Sequence, residues 1–178
     1  YIVDNKVKVI IPSRDGELLF WSNLVTELKG VTVMVSNPIA IENCLDKLKF
    51  YESLKNNFPV IPTFTELDAV EADLVVVKER YGAGSANIAI GVTKTEALEF
   101  SKKLEHPIFQ PFVKGKEYSI DVYNSKSGEA KGAVVRSRDV VINGESQITT
   151  TVIKPDLVEL SKRITEKMGL YGHAVLQV

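Results

Sequence analysis

The chain is poor in the residues that build covalent and metal-centred sites. It has a single cysteine, Cys44, which excludes an internal disulfide and a cysteine-based metal site. Cys44 reads instead as a small buried hydrophobe on a helix. The two histidines, His106 and His173, are too few for a dedicated histidine metal cluster, and both read as structural. Charge of either sign is not in excess: 22 Lys and Arg against 23 Asp and Glu leave a net charge of -1. Such a balance offers no electrostatic basis for holding nucleic acid or an acidic membrane surface. No apolar run approaches the ~20 residues of a membrane-spanning helix, and no secretory leader is visible. The absences together point to a cytoplasmic protein.

What remains is ordinary for a globular protein, with 44% hydrophobic and 25% charged residues. A length of 178 residues can bury one core or split it between two lobes. Tyr1 is not an initiator methionine, and His173 to Val178 is an apolar run resembling an unfinished strand. The sequence therefore reads as a piece of a longer protein.

The N-terminal third alternates strand and helix. Val7 to Ile11 reads as a buried strand, and a helix follows from about Glu17 to Lys29 with Leu18, Trp21, Val25 and Leu28 on one stripe. Gly30 occupies a C-cap position, and Thr32 to Val35 is a second strand. Ser36-Asn37-Pro38 opens a helix carrying Ile41, Cys44, Leu45, Leu48 and Tyr51 inward to about Lys55, with Asp46-Lys47 inside it. The connector Asn56 to Pro62, with two prolines, stops helix and ladder alike.

Leu74 to Lys78 is a β-branched run delivering a lysine at its end. Glu79 to Ser85 follows with Gly82 and Gly84, and Ala86 to Val92 is a second β run. Lysine suits phosphate oxygens, and glycines let successive N–H groups converge on an anion. The unit reads either as a clamp over nucleotide phosphates or as a plain hairpin with an exposed lysine. It is neither a Walker loop nor a dinucleotide fingerprint, because the Gly-Lys-Ser/Thr order is missing and the glycines lead into a strand.

Thr93 to Glu96 has capping-box spacing, opening a helix to about Glu105. Ile108 to Val113 is apolar, Glu117 to Tyr123 alternates with period two, and Ala130 to Arg138 returns as its hairpin partner. Gln147 to Ile153 is a further strand after the Asn143-Gly144 turn. The last helix begins at Pro155, buries Leu157, Leu160, Ile164 and Met168, and ends at Gly169.

In this order and spacing, Asp46-Lys47, Pro59 to Pro62, Lys78, Gly82 to Ser85, Phe109 to Glu117 and Ala174 to Val178 resemble the ATP-grasp superfamily, most closely its carbamoyl-phosphate-synthetase-like branch. The resemblance implies an α+β fold with an α/β N-terminal piece: two α+β lobes holding nucleotide between antiparallel sheets. Residues 1–37 would end a Rossmann-like preceding domain. Residues 38–178 would be the ATP-grasp domain, with a lid lobe at about 60–108 and an incomplete C-terminal lobe at 109–178.

The same resemblance implies an ATP-dependent ligase, forming a carbon–nitrogen bond through an acyl phosphate, with ATP and magnesium (or manganese) as cofactors. Lys78 and Lys47 would bind phosphates, and Gly82, Gly84 and Ser85 would belong to the lid. Gln110, Pro111, Phe112 and Val113 would line the adenine pocket. Glu117 would accept from ribose, Arg138 would meet phosphate or substrate as the catalytic residue, and Gln177 would serve the metal. The partners implied are ATP and small-molecule carboxylate and amine substrates, with a homo-oligomer compatible and neither nucleic acid nor membrane.

Two departures stand out. Gln110 replaces the usual glutamate, and the Glu-x-Asn metal motif of the next strand is absent because the sequence stops at Val178. A nucleotide-binding domain without chemistry and a small-molecule kinase are the alternatives. The second departure implies that residues 1–178 alone bind adenine nucleotide weakly and do not turn it over.

Overall fold

The computed structural model describes residues 1–82, 87–142 and 144–178. They form two compact units, the first from residues 1–42, 118–136 and 151–178, the second from 43–117 and 137–150.

The first unit begins with a small β-α-β piece. Strand β1 (Val9–Ile10) pairs in parallel with β2 (Thr32–Val33), and helix α1 (Asp15–Leu24) lies between them in sequence. The strands are shorter than their apolar runs, and Val9 and Ile11 are exposed rather than buried. Helix α1 starts and stops early. The Glu17 carboxylate accepts from the Ser13 and Arg14 N–H groups and the Trp21 indole, fixing the N-terminus before Glu17. After Leu24 the chain turns, and Gly30 takes a positive φ of 76°.

A core of this unit lies where strand β6 (Tyr118–Asn124) meets helix α5 (Pro155–Lys167). Ile120, Val122 and Val135 are buried there against Leu157, Val158 and Leu176. Strand β9 (Gly172–Gln177) runs antiparallel to β6, and the two ladder from Ser119↔Gln177 to Asn124↔Gly172. Strand β7 (Ala130–Ile142) extends well past the expected Arg138 and is followed by β8 (Glu145–Val152). The strand order is β8-β7-β6-β9.

In the second unit, strand β3 (Leu74–Glu79) is central between β4 (Ile88–Thr93) and β5 (Pro107–Pro111), all antiparallel. Helix α4 (Lys94–Ser101) opens on the expected capping box, with Glu96 accepting from the Thr93 N–H at 2.9 Å. Its Ala97 and Phe100 pack on Val75, Val77 and Phe109. The helix ends at Ser101 rather than near Glu105, and tighter turns closed by the Lys103 and Leu104 N–H groups lead to Glu105 and His106, whose N–H groups donate to the Glu79 carboxylate.

The long helix expected from Pro38 to Lys55 is two helices, α2 (Pro38–Leu45) and α3 (Lys47–Leu54). Asp46 divides them. Its backbone leaves the helical region (φ -104°, ψ 106°), and its carboxylate caps α3 by accepting from Leu48 and Lys49 N–H. The same carboxylate takes both arms of Arg80, at 2.8 and 2.6 Å. A mid-helix aspartate becomes an N-cap when the cap and a charge partner together outweigh two helical hydrogen bonds. Cys44, placed just before this break, is exposed rather than buried.

Burial raises the Asp46 carboxyl pKa, but Arg80 and the two N–H donors outweigh it and hold the group below 3.8. Its contribution is therefore complete above the unfolded value and is lost as pH falls through the folded one. Asp46→Ala should cost about 3 kcal/mol in urea unfolding at pH 7, because it removes a cap and leaves Arg80 unpaired. That deficit relative to the unsubstituted protein should shrink as pH falls below about 4. A pH-independent loss would contradict the ion pair.

Candidate functional site

Register divides the β4-β3-β5 sheet into two faces. Val75, Val77 and Phe109 point into the core under α4. Lys78 pairs with Ile108 and Ile88, and Val76 with Gln110 and Ile90, so these six side chains share the opposite face. That face has an apolar floor, with Ile108 fully buried and Ile90 exposed, and two polar groups at its corners.

The first corner is Lys78. It is half-buried, and its ammonium has no hydrogen bond or carboxylate among the described residues. Burial, and then the nearby charge of Lys47, bring its pKa down to about 8. An ammonium held near a like charge and out of water is stabilised by an incoming anion. Lys47, the first residue of α3, donates through Nζ to the carbonyls of Arg80 (3.2 Å) and Gly82 (2.7 Å). Its backbone N–H also reaches the Arg80 carbonyl. Gly82 takes a positive φ of 90° with open space where a Cβ would stand. Arg80 rests over the Tyr81 ring at 5.3 Å, and Tyr81 meets His106 edge-on. Gly84 and Ser85, also expected in this loop, lie outside the described residues, as does Asn143 of the expected turn.

The second corner is the segment from Gln110 to Val113. Pro111 has no N–H, and the Phe112 N–H is taken by the Leu74 carbonyl at 2.9 Å. Val113 is exposed, and its N–H finds no acceptor among the described residues. The Gln110 amide nitrogen donates to Thr63 Oγ1 at 2.7 Å.

Glu117 and Arg138 are brought together. Arg138, its side chain 6% exposed, donates through its guanidinium to the Glu117 carboxylate (2.7 Å), Ser146 Oγ (2.8 Å) and the Gly144 carbonyl (2.6 Å). Three protein acceptors already hold the group expected to meet substrate.

In the first unit, Gln177 pairs with Ser119 and Val175 with Asp121, so Gln177 shares a face with Asp121, Tyr123 and His173. Asp121 is held by Arg136 through both carboxylate oxygens and by His173 at 3.1 Å. Burial raises the Asp121 carboxyl pKa, and Arg136 and His173 more than offset it. No group of three His, Cys, Asp or Glu side chains suited to a metal occurs among the described residues. Nor is any helix among them long and apolar enough to cross a membrane.

Sequence reasoning missed Arg80, Thr63 and the Asp121–Arg136–His173 cluster. Alternation along Tyr118 to Tyr123 places Asp121 on the polar face. Nothing local marks Thr63 or Arg80, whose partners are 47 and 34 residues away.

The chain is similar in structure to the biotin carboxylase domain of Hydrogenobacter thermophilus 2-oxoglutarate carboxylase in complex with MgADP, ADP and bicarbonate (TM-score 0.76, 18% identity, covering 99% of this chain and 46% of that one). It is also similar to Campylobacter jejuni biotin carboxylase in a β,γ-ATP complex (TM-score 0.78, 11% identity, 99% and 46%). A third similar structure is the D-alanine–D-alanine ligase of Coxiella burnetii (TM-score 0.72, 17% identity, 96% and 54%). The chain thus spans about half the length of these proteins. No curated protein matches the sequence. A family model described as an ATP-grasp domain matches residues 44–175, most of the chain and nearly all of the two polar corners, and on that match the protein belongs to the ATP-grasp family.

Proposed function

We propose that the chain is the nucleotide-gripping part of an ATP-dependent carbon–nitrogen ligase of the carbamoyl-phosphate-synthetase-like branch. Residues 38–178 would be its ATP-grasp domain and residues 1–37 the end of a preceding one. One observation carries this reading: Lys78, half-buried near the charge of Lys47, has no described anionic partner on a sheet face whose other polar side chain, Gln110, is uncharged. Phosphoryl transfer asks a protein chiefly for positioning and for positive charge at the transferring group. Lys78 and Lys47 would supply that charge. Lys47 would also hold the Gly82 carbonyl, and Gly82, Gly84 and Ser85 would cover the phosphates. Gln110 to Val113 would take the adenine edge, with Val113 N–H as donor, and Glu117 would accept from ribose. A carboxylate oxygen of the substrate would attack the γ-phosphorus, ADP would leave, and an amine would then displace phosphate from the acyl phosphate.

Magnesium neutralises phosphate charge in such chemistry. The residues described here do not by themselves fit it: Gln177 offers a neutral amide, Asp121 on the same face is engaged by Arg136 and His173, and the ion prefers at least one carboxylate. Arg138 favours a second reading, a nucleotide-binding domain without chemistry, because its guanidinium is already held by protein acceptors.

The test is ADP release by the intact protein against a panel of carboxylates, with and without an amine, and with hydroxylamine in a separate reaction to trap an acyl phosphate as hydroxamate. ADP release that needs an amine as well as a carboxylate supports the ligase, whereas release with an alcohol alone makes it a kinase. ATP bound without turnover under every pairing favours the second reading.

Lys78→Met should weaken ATP binding about tenfold or more by calorimetry, because charge-assisted hydrogen bonds of ~1.5–3 kcal/mol are lost. Thermal stability at pH 7 should hold or rise, since the substitution removes a desolvated charge. Unchanged ATP affinity would remove Lys78 from the site.

A further inference from the structure

The Gln110 carboxamide is held in one orientation by a partner that fixes what it can recognise. Phe64 and Phe109 bridge in antiparallel fashion, which sets Thr63 directly across from Gln110 on the face that carries Lys78. Thr63 is 2% exposed, and its Oγ1 lies 3.1 Å from the Ile61 carbonyl, an acceptor only. A hydroxyl has one proton, so donation to Ile61 leaves Oγ1 only lone pairs to offer Gln110. The atom 2.7 Å from it must then be the amide nitrogen. Reversing the amide would place two oxygens together or break the bond to Ile61. The amide oxygen, Oε1, consequently faces away from Thr63, with no donor among the described residues, and is not a buried unpartnered atom.

We propose that Thr63 is a specificity-determining positioning residue. By presenting Gln110 as an acceptor, it selects purine nucleotides with a 6-amino group over those with a 6-oxo group. The proposal rests on the reading of Gln110 to Val113 as the base-binding segment. A 6-amino group donates to Oε1, whereas a 6-oxo group would meet it oxygen to oxygen, the arrangement that leaves acceptors unpaired. A glutamate at this position would accept through either carboxylate oxygen and need no such lock. A glutamine does, because its two ends have opposite hydrogen-bonding character.

The experiment compares affinities for ATP and inosine triphosphate, which differ at C6, using the intact protein. The unsubstituted protein should prefer ATP by about tenfold or more. Thr63→Val, which removes the hydroxyl while keeping a β-branched shape, should contract that ratio severalfold by weakening ATP and strengthening the inosine nucleotide. Thr63→Ser should preserve it. In a Gln110→Glu background, Thr63→Val should leave the ratio unchanged, since a carboxylate has no wrong orientation. Equal contraction in both backgrounds would mean that Thr63 merely shapes the pocket, and would overturn the proposal. So would an unchanged ratio in Thr63→Val with Gln110 present. Equal affinity of the unsubstituted protein for both nucleotides would overturn the orientation proposal and leave the nucleotide site standing, while binding of neither would remove both. Should Thr63→Val not fold, Gln110→Met keeps side-chain length without an acceptor and should abolish the preference; a preserved ratio there would also overturn the proposal.

Discussion

The bidentate pair between Arg80 and the buried Asp46 is the constraint on which the second unit depends. Asp46 leaves the helical region, and its carboxylate caps α3 while it holds Arg80, so the helix breaks there. The broken end starts α3 at Lys47, which reaches the carbonyls of Arg80 and Gly82. Arg80 follows Lys78 by two residues, so the ion pair ties the start of α3, with Lys47, to the end of the strand that carries Lys78. Low exposure of the carboxylate makes the pair difficult to exchange for water, and its two geometrically matched hydrogen bonds resist rotation. A surface pair of the same charge would contribute little and orient nothing.

Around that fixed point the sheet separates two kinds of chemistry. One face packs Val75, Val77 and Phe109 under α4. The other sets an apolar floor between a cation and an amide of defined direction. Neither corner is at rest electrostatically. Lys78 carries charge in a place that disfavours it, and the Gln110 oxygen has no donor among the described residues. Such groups are tolerated where an incoming ligand supplies the missing partner, and their cost to the fold is offset by the core beneath.

Local signals in the sequence identified much of this arrangement. The β-α-β start, the Thr93–Glu96 capping box, the lysine-ended central strand and the helix stop at Gly169 each follow from residues within a few positions of one another. The break at Asp46 did not show, because an aspartate between two helical stripes caps only when a distant arginine also claims it. The stripe through Val25 and Leu28 outran its helix, which turns after Leu24. Cys44 shares the apolar stripe yet is exposed beside the break. The Thr63–Gln110 pair depends on an isolated bridge between Phe64 and Phe109, a long-range register that no local period encodes. Gln110 itself stands out as a departure from glutamate, but its direction depends on Thr63, 47 residues away.

In the proposed function Lys78 is a half-buried ammonium that would take phosphate, with a pKa of about 8 in the free protein. Between about pH 8 and 9 much of the free protein has lost that proton, and bound phosphate would restore it. Calorimetric titration of ATP near pH 8.5, repeated in buffers of different ionisation enthalpy, measures the protons taken up on binding. After subtraction of the nucleotide's own ionisation, the proposed role predicts net uptake of about three-quarters of a proton. That uptake should disappear in Lys78→Arg, whose guanidinium stays charged throughout. Binding of ATP with no linked proton, or uptake that persists in the arginine variant, would contradict it.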